Sequence, residues 1–179
     1  MARIRGMMAA SLDGFAADAS GGVGWLAPFD AVNWGYDAFL TEIGTVVMGR
    51  TTFEDALHLS QDWPYPGKRA IVVSRTLPDR PGGGPGGDVE VWRDGVPALV
   101  PRLRALADGD VWIVGGPRLQ GEMIALGALD RMQLAVTPVL LGRGKPVFPP
   151  SVAPPRQPRL QSAEPIGGGL AMLDYSFEG

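Results

Sequence analysis

The sequence predicts an α/β fold in three layers, with a mostly parallel central sheet between two layers of helices. Segments with helical spacing of apolar residues alternate with short, continuously apolar segments, which is typical of parallel strands covered by helices on both faces. The chain then ends in two strand-like segments, around 158–164 and at 170–178, which are separated by Gly167–Gly169. Two strands joined without a helix predict an antiparallel edge at the C-terminal end of the sheet.

The first half of the chain predicts three strands and two helices. The strands are Arg3 to Ala10, Thr45 to Met48 and Arg69 to Val73. The first helix is indicated by apolar side chains spaced i, i+4, i+7 and i+11, namely Val32, Tyr36, Phe39 and Ile43. The second helix is predicted over 51–57, because Thr51 and Glu54 have the spacing of a capping box.

The second half begins after a surface loop rich in proline and glycine at 78–88. Strands are predicted at 89–92, at 111–114 and from Met132 to Leu141, the last one broken at Pro138. Two amphipathic helices lie between these strands. Their apolar faces are Val96, Leu99, Val100, Leu103 and Leu106 in one helix, and Leu119, Met123 and Leu126 in the other.

Composition excludes several classes of function. With 179 residues, 45% of them apolar and 20% charged, we expect a single globular domain over 1–179. The net charge of −3 and the lack of a long apolar run give no reason to expect nucleic acid or a membrane as partner. The absence of cysteine excludes disulfides and thiolate chemistry and fits a cytoplasmic protein. Because His58 is the one histidine, we expect no metal site built on histidine or cysteine.

Three predicted strands end in the same kind of junction. The junctions are Gly49-Arg50-Thr51-Thr52, Ser74-Arg75-Thr76 and Gly115-Gly116-Pro117-Arg118. Ligands of open α/β sheets bind at the carboxyl ends of the strands, and helix N-termini and arginines both favour phosphate. Each junction alone is also what an ordinary helix cap with a solubilising arginine looks like. Together they predict a site for several phosphates, as in a dinucleotide with a 2′-phosphate.

Common nucleotide and hydrolase motifs are missing. No G-x-G-x-x-G connects a strand to a helix, and GRGKP at 142–146 lacks the first glycine and the Ser/Thr of a Walker A loop. No G-x-S-x-G is present, so serine-hydrolase chemistry has no support.

Five segments, in this order along the chain, resemble the dihydrofolate reductase-like fold. They are AASLDGFAA (9–17), TVVMGRTTFE (45–54), PGKRAIVVSR (66–75), DVWIVGGPRL (110–119) and VTPVLLGRGKPVF (136–148). Within that fold the chain is most similar to stand-alone relatives of the reductase domain of the bifunctional riboflavin-biosynthesis deaminase–reductase. The resemblance implies NADPH binding and hydride transfer to a heterocyclic ring.

The same resemblance implies positions for the cofactor. Ala9 and Ala16 would meet the nicotinamide carboxamide. Gly49, Arg50, Thr51 and Thr52 would hold the pyrophosphate and 2′-phosphate side, and Ser74 and Arg75 would surround the adenosine phosphate. The glycine pair Gly115–Gly116, expected to be joined by a cis peptide, would pass beneath the cofactor together with Pro117, Arg118 and Leu119.

The resemblance also implies candidate substrate residues. Thr137 matches a threonine that hydrogen-bonds in the substrate pocket. Asn33 stands where folate reductases carry an acid on their first long helix, and Asp30 or Asp37 would replace that acid if the helix register differs. Lys68 would bind an acidic tail, or is simply solvated. Asp13 either makes a turn with Gly14 or lines the pocket.

Two departures from the riboflavin-pathway reductase concern the substrate. Met7 and Val114 replace a lysine and a glutamate of that domain. The tryptophans Trp25, Trp34 and Trp63 would stack on a planar ring or pack in the core. The substrate is therefore left open as a pterin-, pyrimidine- or flavin-like heterocycle. The alternatives are a protein of this fold that binds NADPH without turnover, and a fold without a nucleotide site.

Homodimer formation through a late strand is a further expectation, with LAMLDYSF (170–177) as an apolar edge segment.

Overall fold

The computed structural model describes residues 1–59, 62–79, 89–150 and 156–177, which form ten strands and four α-helices. The strands are β1 Ile4–Ala10, β2 Phe15–Asp18, β3 Ile43–Gly49, β4 Arg69–Val73, β5 Val89–Trp92, β6 Asp110–Gly115, β7 Arg131–Val136, β8 Gly144–Pro146, β9 Arg159–Gly167 and β10 Leu170–Ser176. The helices are α1 Tyr36–Glu42, α2 Arg50–Leu59, α3 Val96–Arg104 and α4 Pro117–Ala125, with a 3-10 helix at Gly24–Phe29.

Eight of these strands form one sheet in the order β5-β4-β3-β6-β1-β7-β10-β9. The strands from β5 to β7 are parallel to their neighbours, whereas β10 pairs antiparallel with both β7 and β9. The predicted parallel sheet with an antiparallel C-terminal edge is therefore confirmed. A separate antiparallel ribbon of β2 and β8 was not predicted.

Helices cover both faces of the sheet, which confirms the three-layer arrangement. One apolar core contains Leu99 and Leu103 of α3 and Met123 of α4. The other core contains Phe39 of α1 and Phe53 of α2. Strand β3 contributes to both, because successive side chains of a strand point to opposite faces. Accordingly Val46 and Val47, both fully buried, belong to different cores, and β3 consists of continuously apolar residues at its centre.

The first helix begins later than its apolar spacing predicted. Gly35 adopts a left-handed conformation (φ 72°) and α1 starts at Tyr36, so Val32 precedes the helix. Ile43 is already extended (ψ 126°) and opens β3, where it is buried. The assignment of Val32 and Ile43 to a helix was wrong because the helix is short and its flanking segments happen to continue the spacing.

Three smaller predictions also need correction. Helix α2 starts at Arg50, so Thr51 is its second residue rather than its cap. Strand β7 ends at Val136 and does not continue to Leu141. Leu126 is 45% exposed, because α4 ends at Ala125.

The segment 170–177 does not form an edge of the sheet, contrary to expectation. Strand β10 lies between β7 and β9, and β9 is the edge strand. Most residues of β9 are exposed, including Leu160. In the part of the chain that the structure describes, no helix is long and apolar enough to span a bilayer.

The amino ends of the strands are held by ion pairs. The buried Arg5 guanidinium contacts Glu42 and Asp110 and lies 4.7 Å from the centre of the Phe39 ring. Arg3 also pairs with Asp110, at 2.8 Å. Burial alone raises the pKa of Asp110, but hydrogen bonds from Arg3 and Arg5 outweigh it and hold the pKa below its ordinary value. The cations at this end of the sheet are thus already neutralised.

Candidate functional site

The three junctions predicted to bind phosphate lie side by side. Strands β4, β3 and β6 are adjacent and parallel, so their carboxyl ends meet at one edge of the sheet. In the register of these pairs, Gly49 stands opposite Val73 and Met48 stands opposite Gly115. The order of these strands along the chain does not by itself make them neighbours. They are neighbours because β3 pairs in parallel with both β4 and β6.

Specific contacts join the junctions to one another. Nη1 of Arg50 donates a hydrogen bond of 2.9 Å to Oγ1 of Thr76 in the turn after β4. A Cβ placed on Gly116 would lie 3.6 Å from Oγ1 of Thr52, so the starts of α2 and α4 are in contact range. The structure therefore brings Arg50, Thr52, Thr76 and Gly116 together.

The peptide between Gly115 and Gly116 is cis, as expected. Gly115 has a φ of 131°, a value that favours glycine. Gly116 then caps α4 without any side-chain hydrogen bond, and Pro117 is the first helical residue. The backbone N–H groups at this helix start thus have no side-chain acceptor. Leu119 is buried in the core with α3, so its side chain serves packing.

Three arginines lie at this edge with different surroundings. Arg50 is half exposed and also pairs with Glu54 through a 2.7 Å hydrogen bond. Arg75 and Arg118 are exposed, and the side chain of neither forms an ion pair or hydrogen bond with another described residue. Two guanidinium groups are thus free to contact an anion.

Ser74 has a structural task at the same edge. Its hydroxyl oxygen accepts hydrogen bonds from the backbone N–H groups of Thr76 (3.3 Å) and Leu77 (3.1 Å). Ser74 is 9% exposed, so the hydroxyl shapes the turn that carries Arg75.

A cavity of about 560 Å³ lies between β1, β6, α1 and the loop that precedes α1. It is lined by Met7, Met8 and Ala9 of β1, by the loop residues Leu26, Asp30, Ala31, Val32, Asn33 and Trp34, by Tyr36 and Asp37 of α1, and by Trp112 of β6. Met8 connects the cavity to the glycine pair, because its methyl carbon would lie 3.7 Å from a Cβ on Gly115. Of the three tryptophans proposed to stack on a ring, Trp34 lines this cavity.

The predicted catalytic positions Asp30 and Asn33 both line the cavity, and so does Asp37. Asn33 lies in the loop before α1 rather than on the helix, and its Oδ1 accepts a 2.9 Å hydrogen bond from the N–H of Gly35. Neither Asp30 nor Asp37 pairs through its carboxylate with any described residue. Burial, and to a smaller extent the Asp37 charge, raises the pKa of Tyr36, which keeps that hydroxyl neutral.

A second, smaller cavity of about 300 Å³ adjoins the first. Asn33 and Trp34 line both. The second cavity is further lined by Gly35, by Gln133 of β7, by Ser162, Glu164 and Ile166 of β9, and by Met172 and Asp174 of β10. Sequence reasoning missed this part, because only the order of the last three strands brings these residues to the loop before α1.

The remaining predicted residues lie outside both cavities. Thr137 is fully buried and donates a 3.1 Å hydrogen bond to the carbonyl oxygen of Ala10. Ala16 lies in β2 and packs against the core of α3 and α4. Lys68 donates a 2.8 Å hydrogen bond to the carbonyl oxygen of Leu40, near the C-terminus of α1.

Asp13 joins two loops. It accepts hydrogen bonds from the Ser11 hydroxyl (2.6 Å) and from the N–H groups of Leu141 (3.1 Å) and Gly142 (2.6 Å). The Ser11 hydroxyl is the main reason that the pKa of Asp13 is lowered. Of the two roles predicted for Asp13, these contacts favour the turn. Among the described residues no group of three His, Cys, Asp or Glu side chains is arranged to hold a metal ion.

The sequence matches the family described as RibD C-terminal domain over residues 3–172. The chain belongs to this family. Among solved structures, a candidate riboflavin biosynthesis protein from Shewanella sp. PV-4 has a TM-score of 0.89 at 26% identity, and the match covers 100% of both chains. The relationship confirms the dihydrofolate reductase-like fold and supports a reductase-like role for this RibD-type domain.

A more distant solved structure also shares the fold. The Thermotoga maritima diaminohydroxyphosphoribosylaminopyrimidine deaminase/5-amino-6-(5-phosphoribosylamino)uracil reductase matches with a TM-score of 0.72 at 15% identity, over 99% of this chain and 57% of that chain. In sequence, the uncharacterized protein YwjB of Bacillus subtilis (strain 168) is 32% identical over 142 residues, which are 79% of each chain.

Proposed function

We propose that this RibD-type domain is an NADPH-dependent reductase of a pterin-, pyrimidine- or flavin-like ring. The observation that carries the proposal is the edge formed by β4, β3 and β6. At this edge the glycine backbone of Gly49 and Gly115–Gly116 lies at the starts of α2 and α4. Three arginines, Arg50, Arg75 and Arg118, lie beside it.

The edge fits a dinucleotide. A Cβ on Gly49 would have only the carbonyl oxygen of Gly115, at 4.0 Å, within 4 Å, so the protein itself does not need glycine there for space. Bare backbone allows close approach of a pyrophosphate to the N–H groups at the start of α4. Arg50, Arg75 and Arg118 would pair with the phosphates, and a guanidinium forms bidentate hydrogen bonds to a 2′-phosphate.

The larger cavity fits the nicotinamide end of NADPH and the substrate ring beside it. Ala9 lines it and offers backbone groups to the nicotinamide carboxamide, while Trp34 and Trp112 provide apolar walls that limit access of water. When bound, NADPH would supply a hydride that, with one proton from solvent, reduces a C=N or C=C bond of the heterocyclic substrate and leaves NADP⁺.

The proton reaches the ring through the protein or directly from water. Asp30 and Asp37 line the cavity without a described partner, so either carboxylate oxygen would pass a solvent proton to the ring. Asn33 orients the ring but carries no acidic proton. Thr137 would influence the ring only indirectly, because its hydroxyl donates a hydrogen bond to the backbone carbonyl of Ala10.

Two measurements on the purified protein test the proposal. NADPH is titrated by its fluorescence, and its oxidation is followed by absorbance with pterins, aminouracils and flavins. Saturable binding together with oxidation by one ring class is the expected result. Tight binding without oxidation of any ring would favour the alternative of a binding protein without turnover. No saturable binding would overturn the proposal in favour of a fold without a nucleotide site.

A further inference from the structure

Carboxylates supply the charge of the groove that the two adjoining cavities form together. This acidic groove is lined by Asp30, Asp37, Glu164 and Asp174. No lysine, arginine or histidine occurs among the described residues that line it. The cations of this end of the molecule lie instead at the edge of β4, β3 and β6.

Three of the four carboxylates have no cationic partner among the described residues. Asp174 is neutralised by Arg131, which donates hydrogen bonds of 2.7 and 2.6 Å to its two oxygens. Asp30, Asp37 and Glu164 form no hydrogen bond or ion pair through their side chains with any described residue. A phosphate in the groove would therefore meet like charges and no counter-ion.

The walls of the groove suit a flat ring. Trp34, Tyr36 and Trp112 line its larger part, and the Tyr36 and Trp112 rings pack edge to face with centres 5.8 Å apart. Trp112 is 6% exposed, and its indole N–H has no hydrogen-bond acceptor in the described structure. The indole nitrogen has no accessible surface, so Trp112 contributes an apolar wall of the groove rather than a hydrogen-bond donor to a bound ring.

We propose that the acidic groove binds an uncharged, phosphate-free heterocycle with N–H donors, and selects against phosphorylated rings. The inference rests on the proposed function, since it names the substrate class of the same site. The N–H donors of such a ring would face the unpaired carboxylates of Asp30 and Asp37, and its face would stack on the aromatic walls. This preference is opposite to that of a reductase of a phosphoribosyl compound.

The test compares 5-amino-6-ribosylaminouracil with its 5′-phosphate, using the full chain. Quenching of tryptophan fluorescence gives both dissociation constants without NADPH. We expect the phosphate-free compound to bind at least about tenfold more tightly at low salt, with the difference shrinking as ionic strength rises. Equal or tighter binding of the phosphate, or no binding of the phosphate-free compound, would overturn the inference.

Variants show whether the charge of the groove is the cause. In the double variant Asp30→Asn/Asp37→Asn, which keeps the shape of both side chains, the preference should fall at least about threefold. Asp94→Asn, an exposed position between β5 and α3, is the matched control and should leave the preference unchanged. An unchanged preference in the double variant would contradict the inference.

The outcomes separate this inference from the proposed function. NADPH oxidation that is faster with the phosphorylated compound would contradict the charge selection and leave the reductase proposal intact. A protein that shows the ring preference but does not bind NADPH would contradict the reductase proposal alone.

Discussion

Gly6 illustrates how one residue controls packing between β1, α4 and β7. A Cβ on Gly6 would lie 2.5 Å from Sδ of Met132 and 2.7 Å from Nε2 of Gln120, and both side chains are buried. Gly6→Ala should therefore lower the free energy of unfolding by about 1–3 kcal/mol, measured by urea denaturation. Gly24→Ala is the control, because no atom lies within 4 Å of its Cβ position. Equal stability of both variants would contradict the packing described here.

Among the arginines at the candidate cofactor edge, Arg50 has a side chain held in place by hydrogen bonds to Glu54 and Thr76. Arg50→Ala should weaken binding of NADPH at least about tenfold and binding of NADH much less, because only NADPH carries the 2′-phosphate. Calorimetric titration of both cofactors measures the difference. Arg69→Ala is the control: Arg69 is also half exposed but lies at the opposite end of β4. Equal losses for both cofactors would exclude a 2′-phosphate role.

At the scale of elements, Asp13 ties the turn after β1 to the loop after β7. Its pKa is lowered chiefly by the Ser11 hydroxyl, so the folded state holds this carboxylate more acidic than the unfolded chain does. The stabilisation is therefore present at neutral pH and is lost as the pH falls through the lowered pKa.

Asp13→Asn should speed amide hydrogen exchange at Leu141 and Gly142, which donate to this carboxylate. Exchange measured by NMR at constant pH checks this. Asp18→Asn is the matched control, because Asp18 accepts from Ser20 and Gly22 within its own turn. Unchanged exchange at Leu141 and Gly142 would show that Asp13 does not hold the second loop.

Strand bounds show which elements the sequence can predict. The predicted bounds of β4 and β5 agree with the structure. Strand β4 is a buried apolar run, which is typical of parallel strands, and β5 is a half-buried edge strand in which Glu90 separates apolar residues. Strands β2 and β8 have no such pattern, since four and three residues become strands only by pairing with each other. The start of α1 depends on the left-handed Gly35, which apolar spacing cannot locate.

The candidate site was predictable in part for the same reason. The cofactor edge follows from local strand-to-helix junctions and from the resemblance, including the cis peptide at Gly115–Gly116. The acidic groove depends on long-range pairing of β10 with β7 and β9, which places Glu164 near Asn33. No local signal in the sequence indicates that neighbourhood.

For the whole molecule, charge is separated between the two parts of the candidate site. Free arginines lie at the edge of β4, β3 and β6, and unpaired carboxylates line the groove, whereas the ions at the amino ends of the strands neutralise one another. This separation explains how a chain with a net charge of −3 would still attract a cofactor with several phosphates.

Self-association stays a prediction at this scale. Exposed apolar side chains, including Leu12, Leu140 and Phe148, lie on loops beyond the ends of β1, β7 and β8. Sedimentation velocity measures the mass directly, and a species of the 18.9 kDa chain alone at high concentration would contradict a homodimer.

The central claim is that the bare backbone at Gly49 makes room for a cofactor and is not required by the fold. Gly49→Ala tests it most directly, because Gly49 has no positive φ and its Cβ would contact the protein only at 4.0 Å. The free energy of unfolding of the variant should differ from that of the parent protein by no more than about 0.5 kcal/mol. Its dissociation constant for NADPH, measured by fluorescence titration, should rise at least about tenfold as the methyl group blocks the pyrophosphate. A folded Gly49→Ala variant that binds NADPH as tightly as the parent protein would contradict the account.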